Sequence, residues 1–144
     1  MDKYDCLKLE TQLCFPLYVC SKEIIRKYKP FLDPLDLTYT QYIVMMVMWE
    51  QKKVNVKELG EKLYLDSGTL TPLLKKMEEK GLVKRDRRPE DERVLDVEIT
   101  EKGMALREEA VNVPIQMGNC IHMDINDAKA LYDILGKMLK DIRS

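Results

Sequence analysis

Apolar residues along the chain outline a mostly helical protein. Residues from about 8 to 29 have helical character, ending at Lys29-Pro30 because the residue before a proline avoids the α region. Phe31 to Asp36 reads as a connector. Thr38-Tyr39-Thr40-Gln41 then fits a capping box, with Thr38 as N-cap and Gln41 reaching back. The helix it opens, to about Glu50, carries Ile43 to Trp49, a run apolar all round that predicts burial on every side. At the other end, Ile125, Ala128, Leu131, Tyr132, Leu135, Met138, Leu139 and Ile142 recur at i, i+3, i+4, i+7, the period of an amphipathic helix.

The middle of the chain changes period. Asn55-Val56-Lys57-Glu58 opens a short helix with Val56, Leu59 and Leu63 on one face. Tyr64-Leu65-Asp66 is a turn, and a further helix runs from about Ser67 to Lys80 with Gly81 at its C-terminal stop. Two short helices joined by a tight turn form the helix-turn-helix pattern. Leu82–Asp86 and Val94–Ile99 read as strands, the second placing Val97 and Ile99 on one side and Asp96 and Glu98 on the other. Arg87 to Arg93 is a charged hairpin tip between them. Thr100 caps a helix that continues past Pro114, which should kink or interrupt it. The expected fold is mainly α with a small β-hairpin wing, a winged helix-turn-helix. Residues 38–99 are expected to form one winged lobe, and 1–37 with 100–144 a helical region for dimerisation, because the last apolar stripe is too long for one small lobe to cover.

Composition narrows the options. The chain has 144 residues, 24 Lys plus Arg against 25 Asp plus Glu, and a net charge of -1. Near-neutral charge excludes a protein that grips polyanions by bulk charge, so any nucleic-acid role needs a local basic patch. The N-terminus has neither the basic nor the apolar region of a secretory signal, and no apolar run approaches the roughly 18 residues of a membrane span. The expectation is a cytoplasmic protein with no membrane partner and its four cysteines in a reducing compartment. His122, the one histidine, with Cys120, Asp124 and Asp127 is a weak metal signal, and neither metal nor cofactor is expected.

A local patch is present. From Lys75 to Arg88 seven basic residues face three acids, a segment of +4 in a chain of -1. At 100° per residue, Leu70, Leu73, Leu74 and Met77 share an inward arc of the second helix of the pair. Gly68, Thr71, Pro72, Lys75 and Lys76 face the other way, with Ser67 and Thr69 at the helix start. Small hydroxyl residues at the helix start and lysines one turn on suit a helix in the major groove, where the former touch base edges and the latter phosphates. Arg88 and Arg93 flank the hairpin tip, from which an arginine can enter the minor groove.

These residues resemble a known family. The helix-turn-helix, the wing motif Asp91-Glu92-Arg93 and Thr100-Glu101-Lys102-Gly103 look like the MarR-family transcription regulators. Leu9-Glu10-Thr11-Gln12-Leu13-Cys14-Phe15, Leu37 to Tyr42 and Leu63 to Pro72 resemble the organic-hydroperoxide-sensing repressors of that family. The resemblance spans residues from about 9 to 115. It implies an obligate homodimer reading a pseudo-palindromic operator in double-stranded DNA, with organic hydroperoxide as the signal. It further implies Cys14 as the reactive thiol, Tyr28 and Tyr39 as phenols hydrogen-bonding its thiolate from the partner subunit, and Asp91 and Arg93 as the wing pair. Oxidation makes a sulfenic acid, which condenses with Cys120 of the partner subunit or with a small thiol.

Geometry sets two cysteines aside. Cys20 lies about 9 Å along and about 240° around a helix from Cys14, beyond disulfide reach while the helix survives. Cys6 lies about 12 Å away if helical and reaches Cys14 only if the N-terminal segment unwinds. Pro16 predicts a loosened helix around Cys14, or a proline tolerated early in the helix. Two other functions fit parts of the pattern. One is a MarR-type repressor released by a small aromatic ligand, with Cys14 silent; the other is a thiol peroxidase using Cys14 and Cys120. A peroxidase has no need of the basic segment or the wing.

Overall fold

The computed structural model describes residues 2–143. Within them the helices are α1 (Cys14–Leu32), α2 (Tyr39–Gln51), α3 (Val56–Leu63), α4 (Ser67–Glu79), α5 (Glu101–Ala105), α6 (Arg107–Ala110), α7 (Asn112–Gly118) and α8 (Ile125–Arg143). The strands are β1 (Lys53–Asn55), β2 (Val83–Arg88) and β3 (Asp91–Ile99), an antiparallel sheet in the order β1-β3-β2. The fold is therefore the expected one, mainly helical with a small wing.

Local chemistry accounts for most boundaries. The Thr38 hydroxyl accepts from the Gln41 N–H while the Gln41 amide oxygen accepts from the Thr38 N–H, a complete capping box. Asn55 caps α3, Thr100 caps α5, and Gly81 takes φ +78° just past α4. The core joins α2, α3, α4 and the sheet through Val44, Met45, Met48, Leu59, Leu70, Leu74, Met77 and Val97, each at most 1% exposed.

Several boundaries differ from expectation. Residues before Cys14 form two 3-10 turns rather than α-helix, because the Gln12 side-chain amide donates to the carbonyls of Cys6 and Lys8 and the Thr11 hydroxyl to that of Lys8. Cys14 is thus the first residue of α1, and Pro16, third in the helix, lacks an N–H that has no partner there in any case. The helix is not loosened by it. α1 continues through Pro30 to Leu32, where the Asp33 N–H bonds the Lys29 carbonyl. The apolar run in α2 is not buried on every side, since Met46 is 47% exposed. β1 carries too few residues for a period, yet Val54 pairs with Val97 on the core face of the sheet. The hairpin tip shrinks to Pro89-Glu90 because both strands extend toward it.

The segment opened by Thr100 does pass Pro114, as three short helices. α6 ends at Ala110, the residue whose carbonyl a Pro114 N–H would have taken. α1 packs against α7 and α2. By contrast α8, nineteen residues long, buries none of its residues, and Ile125, Tyr132, Ile134 and Ile142 stand more than half exposed. Leu13, Phe15, Ile25 and Ile115 are likewise uncovered on α1, α7 and the turn before α1. No helix among the described residues is long and apolar enough to cross a membrane.

Candidate DNA-reading surface and thiol site

α4 is held at both ends. Asp66 caps it, accepting from the Thr69 N–H at 2.8 Å, and that bond, with help from the Thr69 hydroxyl and the Gly68 N–H, holds the Asp66 carboxyl below the usual carboxylate range. Leu70, Leu74 and Met77 face the core, while Ser67, Gly68, Thr69, Thr71, Pro72, Lys75 and Lys76 form an exposed face. Pro72 has no N–H to give to the carbonyl of Gly68, four residues back on the same helix.

The basic segment divides in the folded chain. Lys80 turns inward, donating to the Asp36 carbonyl and to Gln41 Oε1 at 2.9 Å. Arg85 is taken by Glu78, whose oxygens accept from the Arg85 backbone N–H at 2.9 Å and from its guanidinium at 3.1 Å. Those contacts hold the Glu78 carboxyl low, the backbone bond first. Lys84 pairs with Glu98 across the sheet at 3.5 Å. Arg88 pairs with Asp96 at 2.8 Å. Lys75 and Lys76 have no ionic partner among the described residues, and both are exposed beside the reading face. At the tip, Arg93 donates to Asp91 at 3.0 and 3.2 Å, which lowers the Asp91 carboxyl, and its side chain is 91% exposed.

Two sequence expectations change here. Asp96, placed on the polar side of β3, is only 7% exposed, because the Arg88 guanidinium covers and neutralises it. Arg88, expected beside Arg93 as a DNA contact, is occupied inside the wing. The carboxylates and carbonyls that hold this surface from behind, those of Asp66, Glu78, Asp96 and Asp36, were not singled out from the sequence. Only Asp66, a capping residue three before Thr69, left a sequence signal.

The thiol site is divided along α1. Cys14 is exposed, as are Cys6, Cys20 and Cys120. The Tyr28 and Tyr39 rings meet at a tilt of 54° with centroids 4.9 Å apart, and both approach Tyr42, at 5.8 and 6.3 Å. Burial raises the Tyr28 and Tyr42 phenols above their ordinary value, with neighbouring tyrosines adding to it. Tyr28 lies fourteen residues from Cys14 on one continuous helix, about 21 Å along its axis. One chain therefore cannot bring Cys14 to its own Tyr28–Tyr39 pair while α1 persists. Cys120 lies in the turn after α7, its N–H bonded to the Met117 carbonyl. Among the described residues no three His, Cys, Asp or Glu side chains converge as a metal site, His122 included.

A helix-turn-helix with an exposed polar reading face, a basic fringe and an arginine-tipped wing defines a DNA-binding regulator. A family model for the transcriptional regulators SarA/Rot matches residues 26–110. The chain is 45% identical over 141 residues, 98% of its length and 96% of the relative's, to the organic hydroperoxide resistance transcriptional regulator of Bacillus subtilis. It is 49% identical over 127 residues, 88% of the chain and 87% of the relative, to the HTH-type transcriptional regulator SarZ of Staphylococcus saprophyticus. Among solved structures, reduced AbfR bound to DNA superposes with a TM-score of 0.81 at 32% identity, covering 97% of each chain. AbfR of Staphylococcus epidermidis is also known in a disulfide form. The chain belongs to the MarR-type winged-helix transcription regulators, in the branch of the organic hydroperoxide resistance regulators.

Proposed function

We propose that this chain is a homodimeric, redox-sensing transcriptional repressor of the cytoplasm, released from a pseudo-palindromic operator when organic hydroperoxide oxidises Cys14. The observation that carries the reading is the separation of Cys14 from Tyr28 and Tyr39 on one helix, beside apolar faces of α1 and α8 that the chain itself leaves uncovered. A second copy both covers those faces and brings its tyrosines to the thiol. Residues 1–37 and 100–144 form the dimerisation region and 38–99 the reading lobe. The relationship to the Bacillus subtilis regulator supports the signal, and the DNA-bound and disulfide forms of AbfR support the two states.

The Cys14 thiolate attacks one peroxide oxygen and the O–O bond breaks. The sulfur is oxidised by two electrons to sulfenic acid, and the alkoxide leaves as an alcohol after taking a proton. Condensation with the thiol of the partner's Cys120, or of a small thiol, forms the S–S bond and releases water. The apolar side chains around Cys14 favour an organic hydroperoxide over hydrogen peroxide. The chain is a sensor and not a turnover enzyme.

On DNA, Ser67, Gly68, Thr69, Thr71 and Pro72 face base edges, Lys75 and Lys76 meet phosphates, and Arg93, steadied by Asp91, enters the minor groove. Two reading helices must sit one helical turn apart, about 34–36 Å, so displacing the tyrosine pair and the dimer helices breaks the spacing. The test is a gel shift of the reduced chain on its selected duplex, before and after one equivalent of cumene hydroperoxide. Release is expected for the wild type and not for Cys14→Ser; a Cys14→Ser chain that is still released sinks the reading.

A further inference from the structure

β2 and β3 pair in step from Val83↔Ile99 to Arg87↔Leu95, but the next pair is Arg88↔Asp91. β2 advances one residue while β3 advances four, so Glu92, Arg93 and Val94 have no ladder partner on β2. A ladder broken in this way bends and twists the strand that carries the extra residues. Arg93, the arginine that reaches out from the tip, rides on that unladdered segment.

Arg88 spans the break with its side chain. Its Nη2 donates to Asp96 Oδ1 at 2.8 Å and its Nε to Oδ2 at 3.2 Å, a two-pronged contact that fixes direction as well as distance. Asp96 sits in the central strand, directly opposite Asp86 on β2. Like charges in that arrangement repel, and Arg88 is the counter-charge. Glu90 lies on the same guanidinium at 3.9 Å. To serve a phosphate, Arg88 would have to abandon a carboxylate that is 7% exposed, leaving it unpaired.

We propose that Arg88 and Asp96 form a brace that aims the wing, with Arg88 acting as a positioning residue for Arg93 and not as a phosphate ligand. The proposal rests on the DNA-binding reading above. It predicts that removing either partner misaims Arg93.

The test measures binding of a fluorescein-labelled duplex of about 30 base pairs, selected by the wild-type chain from a random pool, across a salt series. Asp96→Asn is the decisive variant, because a carboxylate does not bind DNA. If Arg88 is a brace, Asp96→Asn and Arg88→Gln each weaken binding between about five- and thirtyfold. The slope of log affinity against log salt falls no further than it does for Arg93→Gln, and discrimination at the base pairs under the wing falls. In an Arg93→Gln background neither change has a further effect, which a general loss of stability would not produce. If Arg88 is instead a phosphate ligand, Asp96→Asn frees it and binding is unchanged or tighter, while Arg88→Gln lowers the slope by about one. That result overturns the brace and leaves the DNA-binding reading standing. An Asp96→Asn chain that fails to fold overturns it equally, by making the pair a stability element of the lobe. A wild-type chain that selects no duplex overturns the DNA-binding reading and the brace together.

Discussion

The ammonium of Lys80, at the end of the reading helix, lies 2.9 Å from the amide oxygen of Gln41, which is 3% exposed and belongs to the capping box of α2. A lysine that counts toward the basic segment in sequence is therefore a staple between α4 and the α1–α2 connector. Lys80→Met removes this bond and the one to the Asp36 carbonyl, and is expected to cost roughly 1–2 kcal/mol in urea denaturation. Its salt slope on DNA should match the wild type. Lys75→Ala and Lys76→Ala should do the reverse, leaving stability unchanged and lowering the slope by about one each.

The distance between Cys14 and Tyr28 can be tested by mixing subunits. A dimer of one Cys14→Ser chain with one Tyr28→Phe chain retains one complete site only if the tyrosine comes from across the two-fold. Half of the normal sulfenic acid yield, formed at the wild-type rate and read by intact mass, is the expected result. A mixed dimer as unreactive as the Cys14→Ser homodimer would place the pair within one chain.

Acid should weaken the lobe in a defined window. Asp66, Glu78, Asp91 and Asp96 are all held below the ordinary carboxylate range, by the Thr69 N–H, the Arg85 N–H, the Arg93 guanidinium and the Arg88 guanidinium respectively. Folded values below the unfolded one mean that these groups favour the folded state above about pH 4, and that the contribution disappears as pH falls through the folded values. The urea midpoint is expected to be level from about pH 7 to 5 and to drop below about pH 4. Asp66→Asn, which keeps a capping oxygen without a titrating charge, should show a shallower drop; an identical profile would remove Asp66 from the account.

Gly103 is needed for a close approach. A Cβ there would stand 2.3 Å from the Leu82 carbonyl oxygen and 2.8 Å from Ile99 Cγ1, and the Gly103 carbonyl already accepts from the Trp49 indole at 2.9 Å. Gly103→Ala should cost about 2–4 kcal/mol by forcing β2 and α5 apart. Gly68→Ala on the exposed face of α4, where the added Cβ would meet only Asp66 Oδ1 at 3.4 Å, should be neutral or slightly stabilising. Thermal denaturation of the two variants gives the comparison.

Much of the fold was legible in the sequence because its signals are local. Capping at Thr38, Asn55 and Thr100, the glycine stop at Gly81 and the alternation of β3 each depend on residues within a few positions of one another. The exposed face of α4 follows from helical period alone, and so does the uncovered stripe of α8. The start of α1 was misplaced because the Gln12 side chain competes for backbone carbonyls, which periodicity does not register. β1 was missed because three residues carry no pattern without their partners on β3.

The charge map behaved differently. From sequence, seven basic residues between Lys75 and Arg88 look like one patch. Folding assigns Lys80, Lys84, Arg85, Arg87 and Arg88 to carboxylates or carbonyls, leaving Lys75 and Lys76 on α4 and, beyond the segment, Arg93 at the tip as outward-facing cations. The chain's residues by themselves determined a winged helix-turn-helix and the exposed polar face of α4. Only the tertiary structure decided which arginine is held within the wing and which points out of it, and that Cys14 and Tyr28 stand too far apart to meet in one chain. Helical period and capping act over a turn or two, whereas the partner of a charge is chosen by strands and helices brought together from distant parts of the chain.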